Sequence, residues 1–442
     1  MQAILLDGSP ANDLMGQRVH SALTTELQAQ GWQVEHVCLR EKKIGNCAGD
    51  FFCWVRNPGI CNVNDENRNI AKSIVQSDLM VYLTPITFGG YSSLLKKMVD
   101  HQIPNVSPFF TQIAGETHHQ RRYQKYPDFL AVGWIEGHDR QTEMIFQHLA
   151  QRNAINLHAK RSAAGVVTAD QTDAEIQCSV QGWLNELDRR TSGRLETNLP
   201  ITEPSPRPSP IRSALLLVGS PRTRKSTSHS LGSYLFERLS AQEIETKTMH
   251  IHTSIRSPER MKILLEAVET SNLVLLAFPL YVDSLPAPTI EALERIAAQR
   301  ASKMKTNSSQ SHRQLFAVIS NCGFPEPHHN VTALAICADF ARQAGFGWAG
   351  SLALGAGEGM VHGTPLNELD GRALPLRKAL DLAAEALAQG EVIPQEAQNL
   401  LAKPFIPAWM YRWMGIYGWR QQAKQYGMER SLKRRPYTIK ER

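Results

Sequence analysis

A repeated order of apolar segments constrains the fold of this chain more than any other feature of its sequence. Three segments occur twice, in the same order: "QAILLDGSP" at 2–10 and "SALLLVGSP" at 213–221, "SDLMVYLTP" at 77–85 and "SNLVLLAFP" at 271–279, and "DFLAVGW" at 128–134 and "QLFAVIS" at 314–320. Continuous apolar runs that alternate with helical patterns are typical of buried parallel strands. The sequence therefore predicts two tandem copies of one α/β unit, each with a doubly wound parallel sheet.

A proline-rich stretch separates the two copies. Residues 198–212, "NLPITEPSPRPSPIR", contain five prolines, a composition typical of a semi-rigid, extended linker. We therefore predict a first domain at residues 1–196, a linker at 197–212, a second domain at 213–400 and a helical, basic and aromatic tail at 401–442. A chain of 442 residues is long enough for two such domains.

The charge and composition of the chain exclude several classes of protein. It carries 48 Lys and Arg and 42 Asp and Glu, and residues 401–442 hold ten of the basic and two of the acidic residues. The excess of positive charge thus belongs to the tail, whereas nucleic-acid binding needs a basic surface on the fold, so we expect no nucleic-acid partner. We also expect no transmembrane segment and no signal peptide. Seven cysteines do not indicate a secreted disulfide framework, so a cytoplasmic location is expected.

The loop after the first strand of each copy faces the edge of the sheet where ligands bind in such folds. In the second copy this first-strand loop reads "GSPRTRKSTS" at 219–228. Its hydroxyls, its Arg222 and the start of the next helix favour an anion. It is neither a Walker motif nor G-x-G-x-x-G. The first copy has "GSPANDLMGQ" at 8–17, which keeps the Gly-Ser-Pro turn but lacks the arginine and the Ser-Thr-Ser cluster.

These loops resemble those of the NAD(P)H-dependent FMN reductases, which are flavodoxin-like proteins. The resemblance implies that the first-strand loop holds the FMN phosphate and that the loop after the third strand lies against the isoalloxazine ring. In the first copy this third-strand loop is "TPITFGGYSSLLKKMVDH" at 84–101, which is similar to the family pattern. The candidate flavin-binding residues of the first copy are Ser9, Pro10, Pro85, Ile86, Thr87, Phe88, Gly89 and Gly90.

The second copy has an altered third-strand loop. "FPLYVDSLPAP" at 278–288 lacks glycine and, like the fourth-strand loop "NCGFPEPHHN" at 321–330, resembles a subgroup of the same superfamily. The candidates of the second copy are Ser220, Arg222, Ser226, Thr227, Ser228, Pro279, Leu280, Tyr281, Asn321 and Gly323. Each copy thus has one loop close to pattern, so one or two FMN per chain remain open. The third-strand loop of the first copy is similar to the family pattern, which favours the first copy as the principal redox site.

The resemblance implies a flavin-dependent oxidoreductase that transfers hydride from NAD(P)H to FMN and onward to a small-molecule or protein acceptor. Such chemistry belongs to the cofactor, so no catalytic side chain is assigned. The alternative is an FMN-binding electron-transfer protein without NAD(P)H turnover, in which one copy is purely structural. A homodimer is compatible with both hypotheses. Cys322, after the fourth strand, is interpreted as a small buried thiol.

The stretch "CAGDFFCWVRNPGIC" at 47–61 raises the question of a metal centre. The iron–sulfur flavoproteins, relatives of these reductases, carry four cysteines in this region, and here Cys47, Cys53 and Cys61 match three of the places while Asp50 occupies the other. A [4Fe–4S] cluster normally uses four thiolates, so the sequence predicts against a cluster or other bound metal. The neighbouring aromatics, Phe51, Phe52 and Trp54, are expected to cover the flavin crevice or a subunit interface.

The spacing of residues also bears on two histidine pairs and on the aromatic residues of the tail. The pairs His118–His119 and His328–His329 lack cysteine or acidic partners at fixed spacing, and we interpret them as loop histidines rather than metal ligands. In the tail, Trp409, Trp413 and Tyr417 recur at about helical spacing. That helix is compatible with binding at a membrane surface, but packing on its own domain or on a partner subunit is the favoured interpretation.

Overall fold

The computed structural model describes residues 1–189, 199, 202–206, 209–304 and 314–438. The strands are β1 (Gln2–Asp7), β2 (Gln33–Cys38), β3 (Leu79–Thr87), β4 (Gly90–Tyr91), β5 (Val106–Ile113), β6 (Glu116–Arg121), β7 (Asp128–Ile135), β8 (Ser162–Thr168), β9 (Ser213–Val218), β10 (Glu245–His250), β11 (Leu273–Pro279), β12 (Leu315–Asn321) and β13 (Gly347–Leu354). The α-helices are α1 (Leu14–Ala29), α2 (Phe52–Val55), α3 (Asn67–Gln76), α4 (Ser93–Asp100), α5 (Arg140–Asn156), α6 (Asp173–Arg189), α7 (Thr227–Ser240), α8 (Ile251–Ser254), α9 (Pro258–Thr270), α10 (Ala287–Met304), α11 (Val331–Gln343), α12 (Gly357–Met360), α13 (Leu374–Ala388), α14 (Gln395–Leu401) and α15 (Ala408–Lys424).

The two main sheets have the same topology. The first has the order β2-β1-β3-β7-β8 and the second β10-β9-β11-β12-β13, and all of these neighbours pair in parallel. Counted within each copy, both orders are 2-1-3-4-5, the flavodoxin-like order. The predicted fold class, two tandem doubly wound sheets, is therefore confirmed.

The chain divides into two compact units, and the division is not simply sequential. The first unit contains Met1–Leu199 and Trp409–Arg442, and the second contains Pro200–Ala408. Each unit has its own core of strand residues, such as Leu5 and Val81 in the first and Leu216 and Leu275 in the second. The end of the chain thus belongs to the unit that the beginning of the chain forms. Much of the predicted linker at 197–212 lies outside the described residues.

In the third-strand loop of the first copy, the sequence pattern and the structure differ in where the helix begins. The amphipathic pattern at 91–103 predicts a helix from Tyr91, but Tyr91 pairs with Ile86 in the short antiparallel strand β4. The helix α4 begins at Ser93 because Ser92 caps it, its hydroxyl accepting the Leu95 N–H. Tyr91 fits both a helical pattern and a short strand after Gly90, and its pairing with Ile86 places it in the strand.

An inserted hairpin, β5–β6, lies outside the first main sheet and was not predicted. It contains His118 and His119, so these residues lie in a strand and not in a loop. Each histidine pair also has an acidic neighbour: His118 Nε2 lies 3.3 Å from Glu116 Oε2, and His329 Nε2 lies 3.4 Å from Glu326 Oε2. Sequence spacing did not reveal these neighbours.

The tail forms the helix predicted from its aromatic spacing, α15 at Ala408–Lys424. Its inner side contributes to a small core of the first unit, in which Ala423 and Leu432 pack with Trp54 and Phe109. Among the described residues, no helix combines the length and the apolar content that crossing a bilayer requires.

Candidate functional site

Equivalent hydrogen bonds hold the first-strand loop at the carboxyl ends of the parallel strands in both copies. The N–H of Gly8 donates to Leu83 O and the N–H of Gly219 donates to Ala277 O, each at 2.8 Å. A hydroxyl at the start of the helix that follows the third-strand loop donates a hydrogen bond to the same glycine. Ser92 Oγ donates to Gly8 O at 2.9 Å, and Thr289 Oγ1 donates to Gly219 O at 3.1 Å. The first-strand loops therefore have equivalent positions in the two copies.

The first-strand loop of the second copy leads into the N-terminus of α7. Ser226 caps this helix by accepting the His229 N–H at 3.2 Å, and it donates to Thr223 O at 2.6 Å. No acidic side chain lies in the first turn of α7. The N-terminal N–H groups of a helix carry partial positive charge, so this end of α7 attracts an anion.

Buried hydroxyls converge on the same place. Ser220, Thr227 and Ser228 are each at most 3 % exposed. Ser220 Oγ accepts the Arg222 N–H, and Ser228 Oγ accepts the side-chain N–H of Asn321 at 2.9 Å. Because both hydroxyls act as acceptors in these contacts, their own protons are available to a further acceptor.

Asn321 joins the three loops of the second copy. Its side chain contacts Ser228 in the first-strand loop, and its carbonyl accepts the Leu280 N–H of the third-strand loop at 2.7 Å. The predicted residues Ser228, Leu280 and Asn321 are thus brought together. Gly323 is exposed, and a Cβ added there would meet no described atom within 4 Å.

Arg222, the predicted anion ligand, contacts a carboxylate of its own unit. Its Nη1 lies 2.6 Å from Glu358 Oε1, and the same oxygen lies 2.8 Å from His362 Nδ1. Glu358 belongs to the short helix α12 after β13, and sequence reasoning missed it. The nearby Gly363 has φ +75° and its Cβ position lies 2.6 Å from Lys225 O. The segment 357–363 therefore lies against the first-strand loop.

The first-strand loop of the first copy has the opposite electrostatic character. Ser9 directs both its hydroxyl and its N–H to the Asp7 carboxylate. Burial opposes ionisation of Asp7, but hydrogen bonds from His36 and Ser9 outweigh it and lower the pKa of this carboxyl. The predicted donor Ser9 is therefore already used by a buried carboxylate.

A second carboxylate caps the helix of this loop. Asp13 accepts the Gly16 N–H at 3.0 Å at the start of α1, and Trp134 Nε1 donates to its other oxygen at 3.1 Å. The place that an anion would take at this helix terminus is thus next to an acidic side chain. Pro10, the other predicted residue here, is exposed.

The third-strand loops of both copies make a tight turn with two residues at positive φ. In the first copy these are Phe88 (φ 54°) and Gly89 (φ 80°), and in the second Val282 (φ 45°) and Asp283 (φ 60°). A β-branched residue rarely adopts this conformation, so the backbone of the second turn is strained at Val282. Strain of this kind is often retained next to a binding site.

The glycines of the first third-strand loop are packed rather than open. A Cβ at Gly89 would lie 2.6 Å from Ile145 Cβ, so α5 occupies the space beside this turn. Phe88 is 7 % exposed and Tyr91 is fully buried. Pro85, Ile86 and Thr87 are partly exposed, as are Pro279, Leu280 and Tyr281 in the second copy. The assignment of these residues to a flavin ring stays a prediction.

Cys322 lies at the end of β12 and is 3 % exposed. Its Sγ donates to Phe324 O at 3.4 Å, and burial raises the pKa of the thiol to about 12. A thiol that remains protonated at neutral pH is a poor nucleophile, as expected for a small buried residue.

The cysteine-rich stretch lies in the first unit around α2. Burial, and next the Asp100 carboxylate, raise the pKa of Cys47 to about 12, and burial also raises the pKa of Cys53 and of Cys61. Cys61 Sγ lies 3.3 Å from His101 Nδ1, and Asp50 Oδ1 accepts the Phe52 N–H at 3.0 Å. The stretch thus supplies three thiols and the carboxylate of Asp50, whereas a [4Fe–4S] cluster normally uses four thiolates.

The aromatics of this stretch pack on the C-terminal segment of the same unit. The Phe51 and Trp54 rings stack at 5.2 Å, and Trp419 meets the two rings edge-on at 5.4 and 5.1 Å. The Phe52 ring meets Tyr426 edge-on at 5.7 Å. The structure thus assigns these aromatics a partner within the chain, where the sequence suggested a crevice or a subunit interface.

Comparisons with known proteins agree with the geometry of the first unit. Residues 1–168 match the family model for NADPH-dependent FMN reductase. An iron–sulfur flavoprotein of Archaeoglobus fulgidus and another of Methanocaldococcus jannaschii are each 26 % identical over 104 residues, 24 % of this chain and 46 % and 53 % of theirs. The chain therefore spans about half the length of the curated relatives it matches.

The solved structures to which parts of the chain are similar include two reductases. An NAD(P)H:quinone oxidoreductase from Methanothermobacter marburgensis has 13 % identity and a TM-score of 0.28, over 43 % of this chain and 96 % of that one. An FMN-dependent NADH-azoreductase from Bacillus anthracis, solved with FMN, has 13 % identity and a TM-score of 0.30, over 40 % of this chain and all of that one. Residues 1–168, less than half of the chain, are thus similar to the NADPH-dependent FMN reductase family.

Proposed function

We propose that this protein is a flavin-dependent oxidoreductase that takes hydride from NAD(P)H and passes electrons to an acceptor. The family match of residues 1–168 is the observation that carries the proposal. FMN, when bound, supplies the redox chemistry, and the protein binds and orients it. The flavodoxin-like order of both sheets supports a flavin crevice at their carboxyl ends.

We further propose that the FMN phosphate binds in the second copy. The contacts around Gly219–Ser228 fit a phosphate, because buried hydroxyls, the N-terminus of α7 and Arg222 converge there. In the first copy, Ser9 donates to Asp7 and Asp13 caps α1, so a phosphate there would face two carboxylates. The third-strand loop alone favours the first copy, whereas the phosphate contacts favour the second.

In this proposal each group of residues has a physical role. The hydroxyls of Ser220 and Ser228 donate to phosphate oxygens, and Arg222 balances their charge. The strained turn at Val282 and Asp283 holds backbone groups of the third-strand loop at the edge of the crevice. No side chain is required to move a proton during hydride transfer, and no step involves the cysteine-rich stretch.

The test is the flavin content of the purified protein and its reduction by nicotinamide nucleotides. We expect a flavin absorbance spectrum with one FMN per chain, and loss of that absorbance when NADPH or NADH is mixed in a stopped-flow instrument. If FMN is bound but neither nucleotide reduces it, the reductase hypothesis is contradicted and the hypothesis of an FMN-binding electron-transfer protein is favoured. Two FMN per chain would contradict the assignment of the phosphate to the second copy alone.

A further inference from the structure

The helix α15 carries an exposed aromatic face that the contacts of the first unit do not explain. Trp409 is 65 % exposed, Trp413 is 68 % and Tyr417 is 61 %. These three residues are spaced four apart, so they lie on one face of the helix. Met410 and Met414, also exposed, lie beside this face. Of the ten exposed large hydrophobic side chains among the described residues, six lie within 409–426.

The side of α15 next to this face is fixed by packing, so the exposed face cannot turn inward. Ile416 and Trp419 pack against the small core around Trp54, and Ala423 is fully buried in it. The Trp419 and Trp54 rings meet edge-on at 5.1 Å. A helix held on this side presents Trp409, Trp413 and Tyr417 away from the core of its unit. A contiguous exposed apolar patch of this kind is typical of an interaction surface.

The charges around the aromatic face indicate what that surface binds. Along α15, Arg420 and Lys424 continue the face beyond Tyr417, and the helix contains neither Asp nor Glu. The exposed basic residues of the tail are Lys403, Arg420, Lys424, Arg430, Lys433, Arg434 and Arg435. Against them, the described part of the tail has one acidic residue, Glu429. The surface therefore suits an anionic partner that is also apolar.

We propose that α15 and the basic segment after it bind the surface of a membrane that contains anionic lipid. Tryptophan and tyrosine favour the interface between headgroups and acyl chains, and Lys and Arg attract anionic headgroups. At about 1.5 Å per residue, the 17 residues of α15 extend for about 26 Å, long enough to lie along the interface. A protein partner would satisfy the apolar face but gives no reason for the surrounding excess of cations.

The test uses the full chain and vesicles, because deleting the tail would expose Trp54 and Phe109. Vesicles of phosphatidylcholine mixed with phosphatidylglycerol are expected to sediment the protein, and vesicles of phosphatidylcholine alone are expected to retain much less. Brominated acyl chains are expected to quench tryptophan fluorescence. Raising the NaCl concentration to about 0.5 M should weaken binding, because salt screens the cations.

Two triple variants test the face itself. Replacing Trp409, Trp413 and Tyr417 by serine is expected to weaken vesicle binding about tenfold or more. The matched control replaces three exposed residues outside the tail, Leu14→Ser, Ile263→Ser and Leu374→Ser, and should bind as the wild type does. Near-ultraviolet circular dichroism checks that both variants are folded.

A charge variant separates the electrostatic contribution. Arg420→Gln, Lys424→Gln and Arg430→Gln together are expected to remove the preference for phosphatidylglycerol. The proposal is overturned if the wild type does not bind anionic vesicles, or if the aromatic variant binds them undiminished. It is also overturned if analytical ultracentrifugation shows a wild-type dimer that the aromatic variant loses, while neither protein binds vesicles.

Discussion

Ser9 and Ser220 occupy the same place in the repeated Gly-Ser-Pro turn, yet their hydroxyls have different roles. Ser9 donates to the buried Asp7, whereas Ser220 accepts the Arg222 N–H and keeps its proton. The residue before the turn accounts for the difference, since β1 ends with Asp7 and β9 ends with Val218. One carboxylate at a strand end thus uses the hydroxyl proton of Ser9, whereas the equivalent hydroxyl of Ser220 is the one proposed to donate to phosphate.

This difference gives a prediction at the scale of single residues. Ser220→Ala is expected to weaken FMN binding about tenfold or more, because a hydrogen bond to a charged phosphate oxygen is lost. Ser9→Ala is the matched control, since it is equally buried and occupies the equivalent turn. Fluorescence titration of the flavin-free protein measures both affinities. A loss of affinity in Ser9→Ala with none in Ser220→Ala would place the phosphate in the first copy.

At the scale of elements, the short helix α12 places a carboxylate against the first-strand loop of the second copy. Its Glu358 contacts Arg222 at 2.6 Å, and Gly357 accepts a hydrogen bond from Thr227 at 3.4 Å. An incoming phosphate would therefore meet an arginine that a carboxylate partly neutralises. Helix α12 follows β13. The segment after the last strand of the sheet therefore contacts the loop after the first strand.

The prediction for this element concerns Glu358→Gln. We expect FMN to bind roughly twofold to fivefold tighter, the range for a partly exposed ion pair, because repulsion of the phosphate is removed. The gain should shrink as salt is added. Glu368→Gln, an exposed change in the same unit, serves as the control in an isothermal titration. Weaker binding by Glu358→Gln would mean that the carboxylate positions Arg222 rather than opposing the phosphate.

At the scale of the whole molecule, the end of the chain completes the unit formed by its beginning. Arg122 is 2 % exposed, and its Nη1 donates to Leu432 O at 3.0 Å and Arg434 O at 2.7 Å. Leu432 packs in the core around Trp54 and Phe109. A buried guanidinium needs such acceptors, so the C-terminal segment stabilises the first unit.

The corresponding prediction concerns the stability of one unit only. Leu432→Ala removes a side chain that is 2 % exposed, and it is expected to lower the free energy of unfolding of the first unit by about 2–5 kcal/mol. In calorimetry the transition of the first unit should move to lower temperature while that of the second stays. Leu374→Ala, an exposed position of the second unit, is the control. Equal shifts of both transitions would contradict two separate cores.

Much of the fold could be predicted because strand periodicity is a local property. The apolar runs at 3–6, 79–85 and 129–134 all lie in strands of the first sheet. The β5–β6 hairpin could not be predicted, since its residues follow neither a helical nor a strictly alternating pattern. For the site, the loops could be located, but Asp7 and Glu358 were missed. Asp13, directly before a helical pattern, was recognisable as a helix cap.

The sequence by itself determined the order of strands and loops, the duplication and the excess of positive charge in the tail. These properties depend on residue type and spacing along the chain, and such patterns are readable without coordinates. Only the tertiary structure decided that Ser9 turns to Asp7, that Glu358 reaches Arg222, and that residues 409–438 join the first unit. The physical reason is that side-chain orientation and long-range pairing depend on which elements pack together.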